Sequence, residues 1–230
     1  MGDMVSFASN GDSAQGYLAI PESGTGLGVL VVQEWWGLVP HIKRVCDRLA
    51  TEGFVALAPD LYHGEIAEHT EMDKAAQLMT ALPPDRAARD MAGAVDYLRA
   101  HEAVQNPRIG VIGFCMGGML TLVLAAQQGD KIGAAVPFYG APLGDNEPDW
   151  SNLRAKVRGF FAEQDDFFPP AAVKELEAKL RGMGKNVEFE VVPGTGHAFH
   201  NEENALGTHD PDAAARCWAA AVGFLNNTLS

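Results

Sequence analysis

Cysteine is scarce in this chain. Its 230 residues carry three, Cys46, Cys115 and Cys217. Three cannot pair completely, and their spacing fits neither a disulfide framework nor a zinc ribbon. Basic residues are few as well: 17 Lys and Arg stand against 30 Asp and Glu, a formal net charge of -13. That excess argues against a nucleic-acid partner, because no basic patch offsets it, and against docking on an anionic membrane. No apolar run reaches the length of a transmembrane helix. Met1–Asn10 has no charged segment followed by an apolar one, so no secretion signal is expected, and a free functional thiol would suit a reducing cytoplasm. Met1-Gly2-Asp3-Met4-Val5-Ser6 matches a loose myristoylation pattern. Val5-Ser6-Phe7 also reads as a first strand, and that reading is preferred. Internal repeats, low-complexity tracts and linkers are missing too, so residues 1–230 are expected to form a single domain. With 47% of the residues hydrophobic, that domain can bury a full core.

What is present alternates. Met4–Ala8 and Gln15–Ile20 flank Asn10-Gly11, a hairpin signal. Leu27–Gln33 is a continuous apolar strand, and Pro40–Glu52 is a helix with Ile42, Val45, Cys46 and Leu49 on one face. The pattern then predicts a strand at Phe54–Ala58, a helix at Glu68–Thr80, and a helix opened by Pro83-Pro84-Asp85 with Ala88, Met91, Ala92, Val95 and Leu98 inward. Further on come strand Arg108–Ile112, helix Met116–Gln128, strand Ile132–Phe138, a Pro/Gly/Asp-rich loop at Gly140–Asn152, strand Lys156–Ala162, helix Pro169–Gly182 and strand Val187–Val192. Asp210 caps a closing helix with Pro211 in its first position. Strands alternating with helices give a mostly parallel central sheet of about eight strands flanked by helices, an α/β class whose ligands bind beyond the carboxyl ends of the strands.

The residues just past those ends carry the chemistry. Gly113-Phe114-Cys115-Met116-Gly117 is the G-x-C-x-G form of a nucleophile elbow, with Cys in place of Ser. A helix starting there offers free N–H groups and a positive dipole end to a thiolate or an oxyanion. Asp165 or Asp166 follows a later strand, and His197 follows the last. Cys, then acid, then His is the chain order of the α/β-hydrolase triad. Asp165 is preferred as orienter because it lies nearer its strand end. Glu34, directly after an apolar strand, would be partly buried with a raised pKa. Beside Cys115 it would keep the resting thiol protonated until substrate draws it away. His197 and His200 form an H-x-x-H pair near Glu202 and Glu203, but the spacing is not a standard zinc arrangement, and no metal is expected. Cys46 and Cys217 read as buried small hydrophobes. Trp35, Trp36, Tyr62 and Tyr139 are candidates for a pocket wall or for the core.

Gln33-Glu34-Trp35-Trp36-Gly37, Ala58-Pro59-Asp60-Leu61-Tyr62, Gly113–Gly118, Phe138-Tyr139-Gly140, Asp165 with Pro169, and Gly196-His197-Ala198-Phe199 together resemble the dienelactone hydrolase family of α/β-hydrolases. The resemblance implies a triad of Cys115, Asp165 and His197 with Glu34 as an extra carboxylate. It implies an oxyanion hole from the N–H groups of Met116 and Trp35, and no metal or organic cofactor. The substrate pocket would include Trp36, Tyr62, Tyr139, Phe199 and Asn201. The activity implied is opening of lactones and cleavage of small esters through an acyl-thioester enzyme, by a monomer or homodimer. In one respect the chain departs from that family's type members, which hold a substrate carboxylate with arginines. His63–Met79 contains no Arg, and Asn201 stands where the second arginine would be. Lys74, the only cation in that stretch, or Asn does not replace a bidentate guanidinium, so a less anionic ester or lactone is expected. General carboxylesterase activity without action on dienelactone, and thiol redox chemistry at Cys115, are the alternatives.

Overall fold

The computed structural model describes residues 1–9 and 11–230. Eight strands form one sheet: β1 (Asp3–Ser9), β2 (Asp12–Ala19), β3 (Leu27–Val32), β4 (Phe54–Pro59), β5 (Ile109–Phe114), β6 (Ile132–Phe138), β7 (Lys156–Gln164) and β8 (Val187–Gly196). Their order is β1-β2-β4-β3-β5-β6-β7-β8. From β4 to β8 every neighbouring pair is parallel, while β1 and β2 pair antiparallel with each other and β2 with β4. The expected hairpin therefore forms, although its Asn10 lies outside the described residues.

Side-chain alternation splits the central strands between two cores. Val29 and Val31 of β3 and Phe54 and Ala56 of β4 face one side, with Ile42, Cys46 and Leu49 of α1 (Pro40–Thr51) and Cys217, Trp218 and Leu225 of α6 (Pro211–Leu229). Leu30, Val32, Val55 and Leu57 face the other, with Met91, Val95 and Leu98 of α3 (Pro84–Ala100), Leu122 and Leu124 of α4 (Met116–Gln128) and Leu176 and Leu180 of α5 (Pro170–Gly182). This is why β3, β4 and β5 read as unbroken apolar runs: both of their faces are covered.

The helices start where their local chemistry permits. Pro is the first residue of α1, α3, α5 and α6, where its missing N–H would have no partner in any case. The Asp210 carboxylate accepts the Ala213 N–H at 2.9 Å. Asp210→Ala should cost about 1 kcal/mol, read from the urea midpoint.

Two expectations are corrected. Helix α2 spans Met72–Ala81 rather than starting at Glu68. Glu68 and Glu71 close a turn first, through a backbone bond of 2.8 Å and a bond from the Glu68 N–H to the Glu71 carboxylate of 2.9 Å. Such local bonds compete with helix initiation. In α3 the inward residues are Ala87, Asp90, Met91, Ala94, Val95 and Leu98, not Ala88 and Ala92. Asp90 turns the helix to this phase. It is buried and accepts from Ser9 Oγ at 2.5 Å and pairs with His63 Nε2 at 2.7 Å.

Candidate active site

Strand β3 has β4 on one side and β5 on the other. The chain that leaves β3 towards β4 later returns across it to β5, so a crevice opens between the carboxyl ends of β3 and β5. Glu34 and Trp35 follow β3 and Cys115 follows β5. Asp165 follows β7 and His197 follows β8 without an intervening residue.

Cys115 sits at φ 54°, ψ -118° between β5 and α4. A non-glycine residue there is strained and needs its surroundings to hold it. Its N–H donates to the Phe138 carbonyl at 3.1 Å, and its own carbonyl accepts from Gly118 N at 2.9 Å. Close packing does the rest. A Cβ on Gly113 would strike the Gly117 carbonyl oxygen, and one on Gly117 would strike the Val32 carbonyl oxygen. The two glycines that bracket the cysteine thus let strand, turn and helix approach to backbone contact.

The thiol faces an imidazole. Cys115 Sγ lies 3.2 Å from His197 Nε2, and His197 Nδ1 lies 2.8 Å from Asp165 Oδ2. An ionised carboxylate can only accept, so Nδ1 carries the proton and Nε2 is left to accept from the thiol. Asp165 is itself fixed: its Oδ1 accepts the N–H groups of Phe167 at 2.9 Å and Phe168 at 3.0 Å. Asp166 is exposed and takes no part in these bonds. Thr208 Oγ1 donates to the His197 carbonyl, which ties down the loop on its other side.

Glu34 is 1% exposed. Its Oε2 accepts from Asn201 Nδ2 at 2.6 Å and its Oε1 from Tyr139 Oη at 3.3 Å. Burial pushes its pKa up to about 7, against the opposing pull of His197 and of these two donors. The Cys115 thiol is pushed well above its ordinary value, first by burial and then by the Glu34 charge, with the Met116 N–H acting the other way. Near neutral pH the resting sulfur is therefore a thiol, within hydrogen-bond reach of His197 Nε2.

These groups form the floor of a cavity of about 370 Å³. Trp35 and Trp36, packed edge to face at 5.0 Å, line one side. Met116 and Met119 of α4, Leu143, and Phe167 and Phe168 supply apolar wall, and Met79 of α2 and Leu206 extend it. Asn201 lines the cavity as well, while also holding Glu34. Tyr62, Tyr139 and Phe199 do not line it. The Tyr62 hydroxyl turns back to the Trp35 carbonyl at 3.2 Å, and Tyr139 and Phe199 are wholly buried behind Glu34 and His197. They support the floor rather than meet a ligand. Phe167 and Phe168 were missed by the pattern, although two large apolar residues directly after Asp165-Asp166 are a legible signal. His200 is 5% exposed and stacks on Phe114 at 5.1 Å and Trp218 at 5.6 Å. Among the described residues no three His, Cys, Asp or Glu side chains gather as a metal site, and no helix is long and apolar enough to cross a membrane.

A dienelactone hydrolase family profile matches residues 14–229. The chain belongs to the dienelactone hydrolase family. Protein usf of Aquifex pyrophilus is 38% identical to it over 236 residues, covering 100% of both chains. A protein of Aquifex aeolicus (strain VF5) bearing a carboxymethylenebutenolidase name is 35% identical over 235 residues, again covering 100% of both. A crystal structure from Klebsiella pneumoniae subsp. pneumoniae MGH 78578, titled as a dienelactone hydrolase, superposes with a TM-score of 0.85 at 27% identity, covering 98% of each chain. The mostly parallel eight-stranded sheet flanked by helices is accordingly the α/β-hydrolase fold, and the dienelactone hydrolase family is one of hydrolases.

Proposed function

We propose that this chain hydrolyses small carboxylic esters or lactones with Cys115 as nucleophile, His197 as base and Asp165 as the group that orients His197. The observation that carries the proposal is the unbroken path from sulfur through imidazole to carboxylate, 3.2 Å and 2.8 Å long. Cys115 Sγ attacks the carbonyl carbon while its proton passes to His197 Nε2. The N–H groups of Met116 and Trp35 hold the tetrahedral oxyanion. Collapse breaks the ester C–O bond, and the leaving oxygen takes the proton from His197; in a lactone it stays tethered. His197 then takes a proton from water, which attacks the thioester and frees the acid and the thiol. Because none of the described lining residues is arginine, general carboxylesterase activity without action on an anionic dienelactone fits the same machinery.

The test is a panel of aryl esters and lactones assayed before and after iodoacetamide. Turnover lost on alkylation is expected; turnover that survives overturns the proposal. Cys46 and Cys217 are fully buried, so alkylation of the folded protein reports on Cys115. The same burial leaves Cys115 without an accessible resolving thiol, which weighs against the redox alternative.

Glu34 acts in this scheme as the charge that keeps the thiol protonated at rest. Glu34→Gln should speed iodoacetamide alkylation at pH 8, because the second cause of the raised thiol is gone. An unchanged alkylation rate and turnover would remove this role. Stability carries a second signature. Glu34 titrates near 7 when folded against 4.5 ordinarily. Stability that depends on its neutral form is present in full below about pH 4.5 and is lost as pH rises through about 7, a change of about 3 kcal/mol. Glu34→Gln lacks this loss, so its stability relative to the parent should climb by about that amount between pH 4.5 and 8, as read by urea unfolding.

A further inference from the structure

Two large apolar side chains stand in water at this cavity. Met79 on α2 is 41% exposed and Phe167 after β7 is 66% exposed, yet both line it. One exposed apolar residue needs no explanation, but two bordering the cavity that holds Cys115 and His197 mark a place where an apolar group is seated. Phe167 is held there by its N–H bond to Asp165 and by its ring lying 4.9 Å from that of His197. Met79 is carried by α2, which buries Ala75 fully and packs Leu78 partly against both cores, while Met79 itself turns outward to the cavity rim. Methionine adapts its unbranched side chain to whatever it covers.

The charge of the cavity points the same way. None of its described lining residues is Lys or Arg. A carboxylate brought in by a substrate would lie near Glu34 with no fixed cation to balance it, and would first have to approach a chain of net charge -13, whose field repels anions.

We infer that the site selects uncharged esters whose acyl part is an apolar chain, and that Met79 and Phe167 set the chain length by closing over it. This rests on the ester-hydrolase reading above. Each methylene that enters the cavity should raise kcat/KM about fourfold, the equivalent of about 0.8 kcal/mol per buried methylene, until the chain reaches past Met79 and Phe167. A terminal carboxylate on the same chain would have to be desolvated without a partner.

The experiment uses the full chain and the p-nitrophenyl esters of acetate, butanoate, hexanoate and octanoate, with p-nitrophenyl hydrogen adipate as the six-carbon chain bearing a carboxylate. Expected are a rise from acetate towards hexanoate and an adipate kcat/KM at least about tenfold below hexanoate. Met79→Ala and Phe167→Ala should each lower the hexanoate-to-acetate ratio by at least about fourfold. Met72→Ala, exposed on the same helix but off the cavity, should leave that ratio unchanged. Adipate hydrolysed as well as hexanoate, a flat series, or a ratio untouched in both variants would overturn the inference while thiol-dependent hydrolysis stands. No hydrolysis of any ester, or hydrolysis that survives iodoacetamide, would overturn the ester-hydrolase reading and this inference with it.

Discussion

Cys115→Ala is expected to lower kcat for any ester the parent hydrolyses by at least about a thousandfold, with the fold retained. The loss follows from chemistry, since without sulfur no acyl-enzyme can form and His197 has only water to activate. Retention of the fold follows from what holds residue 115. Its left-handed backbone is fixed by the Phe138 and Gly118 hydrogen bonds and by the packing of Gly113 and Gly117, none of which uses the sulfur. Alanine at φ 54° is as strained as cysteine, so the strain is not increased. Residual stabilisation of the oxyanion by Met116 and Trp35 would leave a small rate above background. Far-UV circular dichroism, the urea midpoint and turnover of one aryl ester decide the matter together. A folded variant with the parent's rate would rule out Cys115 as nucleophile.

Gly117→Ala is expected to destabilise the protein by about 3 kcal/mol and to lower kcat/KM about a hundredfold. In an isolated helix the same change would stabilise, because glycine is among the poorest helix formers. Here the added methyl meets the backbone carbonyls of Val32 and Gln33, which cannot swing aside as a side chain could. Helix α4 would have to move off β3, carrying with it Cys115 and the Met116 N–H at the start of the helix. Gly223→Ala on α6 is the internal comparison. Nothing lies within 4 Å of its added Cβ, so there the helix propensity acts alone and the protein should gain about 0.5–1 kcal/mol. Urea unfolding of both variants measures the contrast, and a Gly117→Ala protein as stable as the parent would show that the elbow is not close-packed.

The sheet was legible because burial on both faces leaves runs such as Leu27–Val32 and Ile132–Phe138 with no polar residue to confuse the period. Helix α4 was legible to the residue, Met116–Gln128, because it begins at the elbow and ends at a glycine. The phase of α3 was not, since it is set by Asp90 reaching Ser9 and His63 across the chain, and an inward aspartate looks like an outward one in sequence. The order Cys115, Asp165, His197 was readable from motif and strand ends. The walls around it were only half readable. Tyr62, Tyr139 and Phe199 have the composition of a pocket lining, but aromatic residues build core and cavity alike, and only coordinates show that these three stand behind the floor. Met79 carried no signal at all: an amphipathic helix such as α2 does not declare which of its turns overhangs a cavity.

The most direct measurement of Cys115 as nucleophile is the intact mass of the protein, acid-quenched during the first turnover of p-nitrophenyl butanoate, followed by peptide mapping. The expected result is one butanoyl group per chain, on the peptide that contains Cys115 and absent from Cys115→Ala. A butanoyl group on any other residue, or turnover with no acyl group captured at any quench time, would contradict it.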